Sequence, residues 1–462
     1  MYKGKDNDDN GPSPKKRRSN NKENNQNHVV VAMGASNKNY YPDIYRLNVD
    51  CFEDIFDYLS LEDLAIVGQI SKRIQRVVGH YFRQSYVAAR ATFHSDFEIN
   101  YVYAKCFIEF VQKIRVIQSD EEFCRFLQWN HLESLKQIRL YDQHLTRNKI
   151  ECMKQILSQV EAVELLECKI EGDFFESLLV FCSNMKRLCV DGTTMIGTKY
   201  NWLHRNYPTL EHFQLLTAIG LKIDELKAFF ELNPNIKKLA FGGKCFWVNQ
   251  VAMWNCKLEL EILEIKYDKR VELDSLCPFL NELHRRGLFK QLHVYFDLPF
   301  GFEQEIIDHL ATVDGLVKLV ANSRHSYINI SSLIKLEELC ITSLNDLEHL
   351  PDTLTNLKRL YILEATSDDI LPFIRRATKL TKIKVNRMYY GKHFEQSKNI
   401  LDLPGLNEER GKLAFAKKIM IYVKEDIFLA TKWSLKQTEF SLIEMKRTDS
   451  IDWEMAFQID RF

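Results

Sequence analysis

The sequence predicts an α/β protein: an N-terminal helical hairpin, then a solenoid whose repeats each supply one strand and one helix, then a C-terminal cap. Three observations lead there. Acidic and apolar residues separate completely when 49–59 is projected as a helix. A six-residue pattern, apolar-x-x-apolar-x-apolar, begins twelve times between residues 111 and 380. The chain of 462 residues is 45% hydrophobic and 27% charged, with 29 Phe and 19 Tyr, which suffices to bury a large core in two or three units.

Residues 1–40 stand apart. Nine are Asn, large apolar residues are scarce, and six Lys and two Arg face three Asp and one Glu. Burial cannot offset the ordering entropy of such a segment, so it is expected to be disordered. Within it, Lys15, Lys16, Arg17 and Arg18 follow Pro14, and four cations on an exposed tail suit the acidic grooves of a nuclear import receptor. The chain as a whole balances 63 Lys and Arg against 63 Asp and Glu, which gives no overall electrostatic reason to expect a nucleic acid or membrane partner. With no signal-peptide core and no run near the roughly 18 apolar residues of a membrane helix, the expected location is nucleus or cytoplasm. Eleven cysteines without a C-x-x-C pair then read as reduced core residues, Cys152, Cys182 and Cys277 among them, with neither metal nor cofactor implied. The Asn329-Ile330-Ser331 sequon is silent without secretion.

The hairpin begins at "LNVDCFEDIFDYLSLEDLAIVGQISKRIQRVV", 47–78. Advancing ~100° per residue from Val49, Asp50, Glu53, Asp54 and Asp57 fall between about 40° and 140°. Cys51, Phe52, Ile55, Phe56, Tyr58 and Leu59 fill the arc from about 180° to 340°. That arc exceeds the ~100° stripe of a helix packed on one neighbour, so it should meet two surfaces. Ser60-Leu61-Glu62-Asp63 reads as a capping box that starts a second helix. Leu64, Val67, Ile70, Ile74, Val77 and Val78 continue at helical spacing. A hairpin of roughly 35 to 45 residues cannot stand alone and must dock on its own chain, on a partner, or on both.

In this order of residues the segment resembles an F-box, the motif that binds the Skp-type adaptor of cullin-RING ubiquitin ligases. The resemblance implies that Leu47, Phe52, Ile55, Phe56, Leu59, Leu64, Val67 and Ile70 contact the adaptor or form the motif's core. Two positions depart from the motif. Asn48 replaces the usual proline, though Asn is a good N-cap, and Ile74 replaces a common tryptophan.

The twelve hexamers run from "VQKIRV" at 111 through "LEILEI" at 260 to "LTKIKV" at 380, with spacings of 20 to 29 residues and a mean near 24. Alternation inside each suits a short strand. Helical stretches such as "IECMKQILSQV" and "DDILPFIRRATKL" lie between them. One such unit cannot bury its apolar edge, so the units must stack. The pattern resembles leucine-rich repeats, and together with the F-box it resembles the F-box/leucine-rich repeat class, insect members among them. The expected domains are 1–40 as a tail, 44–90 as the F-box, 91–390 as a solenoid of about 12 irregular repeats and 391–462 as a cap. The family's turn-satisfying Asn or Cys is met only by Cys168, with Gln143, Lys244, Arg324 and Leu344 at equivalent places. Beyond 391 the period is lost, though Ile419 to Val423 reads as a strand followed by a short helix, and "TEFSLIEMKRTDSIDW" at 438 as another strand.

Spacer residues of each strand point to the concave face and form the candidate substrate surface. These are Arg139 and Tyr141, Arg187 and Asp191, His212 and Gln214, Lys238, and Glu264 with Lys266. They continue with His293 and Tyr295, Arg359 and Tyr361, and Lys382 with Lys384. Arg and Tyr are frequent anchors of interfaces. No phosphate loop, G-x-S-x-G elbow or H-E-x-x-H helix occurs. The expected role is thus non-catalytic: a substrate receptor that joins a target protein to the adaptor, cullin and RING subunits and raises its effective concentration there. The competing expectation is a nuclear scaffold whose repeats bind protein or RNA, its hairpin only capping the solenoid.

Overall fold

A computed structural model of the chain describes residues 47–86, 90–94, 107–118, 132–196, 200–217, 223–267, 271–297, 304–322, 329–342, 350–388, 400–435 and 440–448. The tail at 1–40, with its Lys15–Arg18 cluster, lies outside these residues, as do Arg324 and Leu344.

The hairpin consists of three helices: α1 (Val49–Phe56), α2 (Leu61–Gly68) and α3 (Lys72–Ser85). Asn48 caps α1, its Oδ1 accepting the Cys51 amide at 2.8 Å. Ser60 and Asp63 form the expected reciprocal box at the start of α2. Between α2 and the basic third helix the chain breaks at Gln69–Ser71, where the Ser71 hydroxyl accepts the Ile74 amide and starts α3. Ser competes for local backbone donors, which is why it starts helices better than it sits inside them. Phe52, Phe56, Leu64, Ile74, Val78 and Tyr81 are buried, with Phe56 and Tyr81 packed edge to face at 5.5 Å.

Beyond this unit, fifteen strands form one parallel sheet in chain order. They are β1 (Arg90–His94), β2 (Lys113–Ile117), β3 (Gln137–Tyr141), β4 (Ala162–Leu166), β5 (Arg187–Asp191), β6 (His212–Leu215), β7 (Lys238–Gly242) and β8 (Leu260–Tyr267). The remainder are β9 (Phe289–Asp297), β10 (Leu316–Asn322), β11 (Glu338–Ile341), β12 (Arg359–Ala365), β13 (Lys382–Met388), β14 (Ile419–Val423) and β15 (Ile443–Arg447). All twelve hexamers lie on β2 to β13. The sheet runs on past residue 390, so the region read as a cap contributes two further strands, β14 and β15, both in the stretches expected to be strands. Helices α4 (Arg147–Gln159), α5 (Gly172–Phe181), α6 (Ile223–Leu232), α7 (Leu273–Arg285), α8 (Gln304–Ala311), α9 (Ser367–Arg376), α10 (Leu403–Gly411) and α11 (Glu425–Ser434) connect successive strands. The core lies between helices and sheet, where Ile114, Ile138, Val163, Leu188, Phe213 and Leu239 stand in register across six strands, all fully buried. One strand per repeat in a parallel stack is a leucine-rich-repeat type of solenoid.

The turns show how the missing asparagines are replaced. After β2, β3, β4 and β5 the next residue adopts a left-handed conformation: Gln118, Asp142, Glu167 and Gly192, with φ from 44° to 59°. The following side chains then serve the strand carbonyls. Gln143 Nε2 donates to Tyr141 O, Cys168 Sγ to Leu140 O, and Thr193 Oγ1 to Leu165 O. Three residue types fill one role, so a search for Asn alone finds only part of it. These turns lead into three short parallel strands, His144–Leu145, Lys169–Glu171 and Thr194–Ile196.

The hexamer pattern would place Leu292 opposite Leu319, whereas in the sheet Val294 stands there, with an irregularity between Leu292 and His293. The slip is two residues, which keeps every side chain on its face.

Both ends of the solenoid meet the helical unit. At the start, Phe82 of α3 stacks on Phe107 at 4.5 Å, and Gly79 lies so close to the Phe110 ring that a Cβ would clash. At the end, Arg447 of β15 donates to the carbonyl oxygens of Phe56 and Asp57 at 3.2 and 2.7 Å. Glu425 accepts the Leu61 amide and the Tyr86 hydroxyl, and Lys432 pairs with Asp57 at 3.0 Å.

Candidate functional site

Two surfaces carry the residues selected from the sequence. The first is the helical unit, whose apolar arc is part buried and part exposed. Phe52, Phe56 and Leu64 are at most 2% exposed and form the unit's own core. Ile55 and Ile70 are 42% and 57% exposed, and Leu47, Leu59 and Val67 are partly so. Val49 at 45% and Ile66 at 59% join them, although neither was selected. Thirteen large apolar residues are exposed among the described residues, and four of them fall within 49–70. Ile66 lies on α2, and Ile70 follows it in the break between α2 and α3.

The second surface is the face of the sheet that carries the polar spacer residues, where the chosen side chains form a ladder of charged pairs. Arg139 and Glu164, opposite each other on β3 and β4, pair at 2.5 Å with both side chains buried. Gln137 also donates to Glu164 at 2.7 Å, and Arg187 lies 3.4 Å from it. Arg115 stacks over Tyr141 at 5.0 Å, while the Tyr141 hydroxyl donates to Glu167. Asp191 accepts a hydrogen bond from Thr217, and His212 stands in register between Arg187 and Lys238.

Further along, three groups converge on one oxygen of Glu264. Lys238 Nζ lies 2.7 Å away, His293 Nδ1 3.2 Å, and the Tyr295 hydroxyl donates at 3.0 Å. Burial alone would raise the Glu264 carboxyl. The Lys238 charge and the His293 hydrogen bond outweigh it and hold the carboxyl well below the usual carboxylate range. Lys318 sits over the Tyr295 ring at 5.6 Å and 3.6 Å from Glu338, which in turn pairs with Arg359. Tyr361 is fully buried with Lys384 above its ring at 5.8 Å, and Lys382 is in register with Arg359.

The structure thus brings Lys238, Glu264, His293 and Tyr295 together as one cluster and Arg139 with Arg187 as another. Arg139, Lys238, Glu264, His293, Tyr295, Tyr361 and Lys384 are buried, while Arg359 is exposed and Tyr141, Arg187, Asp191, His212, Lys266 and Lys382 are intermediate. Glu164, Lys318 and Glu338 complete the ladder and were not selected. They occupy spacer positions of their hexamers, so the signal was present in the same pattern.

Among the described residues no group of three or more His, Cys, Asp or Glu is arranged to hold a metal ion, and no helix is long and apolar enough to cross a membrane. Between α4 and α5, on the helical side, lies a cavity of about 450 Å³ lined by Ile150, Phe174, Phe181 and charged residues including Arg147 and Glu176.

No family model matches the chain, and no characterised protein matches it. Among solved structures, the crystal structure of the TLR13-ssRNA13 complex aligns over 74% of this chain and 52% of its own, with 11% identity and a TM-score of 0.24. The chain spans about half the length of that structure, and a likeness at this level transfers neither ligand nor activity.

Proposed function

We propose that this chain is a non-catalytic substrate receptor of a cullin-RING ubiquitin ligase, with α1 and α2 binding a Skp-type adaptor and the repeats holding a target protein. The observation that carries the reading is the division of the apolar arc. Val49, Ile55, Ile66 and Ile70 remain exposed on a helical unit whose core is formed by Phe52, Phe56, Leu64, Ile74 and Val78, and exposed apolar groups are what an interaction site presents. The F-box resemblance of 47–78 supplies the identity of the partner. The test is co-purification of tagged chain with adaptor and cullin, from the wild type and from Ile55→Asp/Ile70→Asp. Retention by the wild type and loss in the variant are expected. A wild type that captures neither subunit sinks the reading.

A second reading has its own support. The helical unit is held at both ends of the solenoid, by Phe107 and by Arg447, as a pure cap would be. In that case the chain is a repeat scaffold with no ubiquitin role, and adaptor and cullin are absent from the purified material.

A further inference from the structure

Trp433 is not part of the core of its own repeat. On α11 the side chains that face that core are Ile427, Phe428 and Thr431, all buried. At ~100° per residue these three fall within ~100° of one another, and Trp433 lies at least ~120° from each. Its side chain is 69% exposed. Its one ring contact among the described residues is with Tyr58, just past the end of α1, edge to face at 5.8 Å. The Tyr58 amide donates to Ile55 O at 3.0 Å, and the exposed Ile55 shares a helix face with the exposed Cys51 four residues before it. Lys432 fastens the junction, pairing with Asp57 at 3.0 Å and lying over the Tyr58 ring at 5.7 Å.

We propose that Trp433 completes the partner surface of the helical unit, so that the adaptor grips α1 and α11 at once. The identity of that partner rests on the proposed function. The choice of occupant follows from continuity: through the Tyr58 ring, the indole extends the exposed flank of α1 that carries Ile55, and Trp is among the residue types that most often anchor an interface. The inference adds a condition on capture. Ile55 and Trp433 are separated by most of the chain and are brought together by contacts of the last repeat with the end of α1, Lys432 with Asp57 and Arg447 with the carbonyl oxygens of Phe56 and Asp57. A chain whose last repeat is missing or misplaced presents Ile55 without Trp433. Such a chain binds the adaptor weakly, and a receptor enters the ligase only once its solenoid has been built to the end.

The test is hydroxyl-radical footprinting of the full chain, read by mass spectrometry with and without a purified Skp-type adaptor, beside capture by variants. Adaptor should abolish most oxidation of Trp433 and leave that of Trp254 unchanged, a control that is 42% exposed just before β8 in the middle of the sheet order. Trp433→Ser should weaken capture about tenfold while unfolding over the same urea range as wild type, Trp433→Phe should recover part of the loss, and Trp254→Ser should capture as wild type does. Trp433 that oxidises equally with adaptor bound, or a Trp433→Ser chain that captures as well as wild type, overturns this inference and leaves the proposed function standing. Protection that appears on concentrating the chain alone assigns the indole to a second copy and also overturns it. A wild type that captures no adaptor removes the proposed function, and this inference with it.

Discussion

The Arg447 guanidinium, on the last strand, donates to the Asp57 carbonyl at the end of the first helix, across 390 residues of chain, at 2.7 Å. The side chain is almost wholly buried, stacks on Phe428 at 4.6 Å and pairs with Glu425. It thereby satisfies two carbonyls that a helix terminus leaves without intrahelical partners. Arg447→Met should cost about 1–3 kcal/mol, because the Asp57 carbonyl loses its donor, and should speed amide exchange throughout 49–86. Lys, a single point of charge, cannot span the same acceptors and should restore little. Urea unfolding with exchange mapping checks both.

Phe52 and Ile55 lie three residues apart on one helix and should separate stability from binding. Phe52→Ala empties a packed site and should lower stability by about 3–5 kcal/mol. Ile55→Ala, on an exposed position, should stay within about 0.5 kcal/mol of wild type while weakening adaptor capture. Thermal unfolding and co-purification on the same samples decide it. If Ile55→Ala unfolds as readily as Phe52→Ala, the exposed face is not available for a partner.

The cluster around Glu264 should govern acid stability. Its carboxyl titrates lower in the fold than in the unfolded chain, so its contribution is complete above the unfolded value of ~4.3 and disappears as pH falls through the folded one. Glu264→Gln leaves Lys238 buried without its counter-charge and should cost about 3–5 kcal/mol at pH 7. The penalty should shrink toward pH 3, as measured by denaturant unfolding across that range.

Burial pushes the thiols of Cys168, Cys182 and Cys245 up to about 12. They remain protonated and unreactive at pH 8. Among the described cysteines Cys51 is exposed and should be the first alkylated by iodoacetamide in the native protein, Cys168, Cys182 and Cys245 only after unfolding. Since these thiols titrate higher in the fold than in the open chain, their effect is neutral below about pH 9 and becomes destabilising as pH rises toward 12. Mass mapping of alkylation and unfolding at pH 8 and pH 11 test this.

Local chemistry made much of this legible. The alternation in each hexamer located twelve strands, and Asn48 and Ser60 began helices as their side chains allow. What escaped was non-local. Nothing around Arg447 says that its acceptors lie at Phe56 and Asp57. The two-residue slip between β9 and β10 keeps every side chain on its face, so hydrophobic pattern cannot detect it, yet it alone brings Tyr295 beside Val320. The burial of Arg139, Glu164, Glu264 and His293 on the polar face of the sheet was equally hidden, because polar spacer residues look alike whether they meet water or each other.

The attachment of one helical unit to both the first and the last repeat sets the number of repeats. An open solenoid can lose or duplicate a unit at modest cost, since each repeat touches only its neighbours. Here, excising a unit such as 357–379 would displace the final strand by one step, ~4.8 Å, and pull Arg447 beyond hydrogen-bonding distance of Asp57. Repeat count is therefore a closure condition, as link number is in a clasped chain, and length variants should survive only if Arg447 finds its acceptors again.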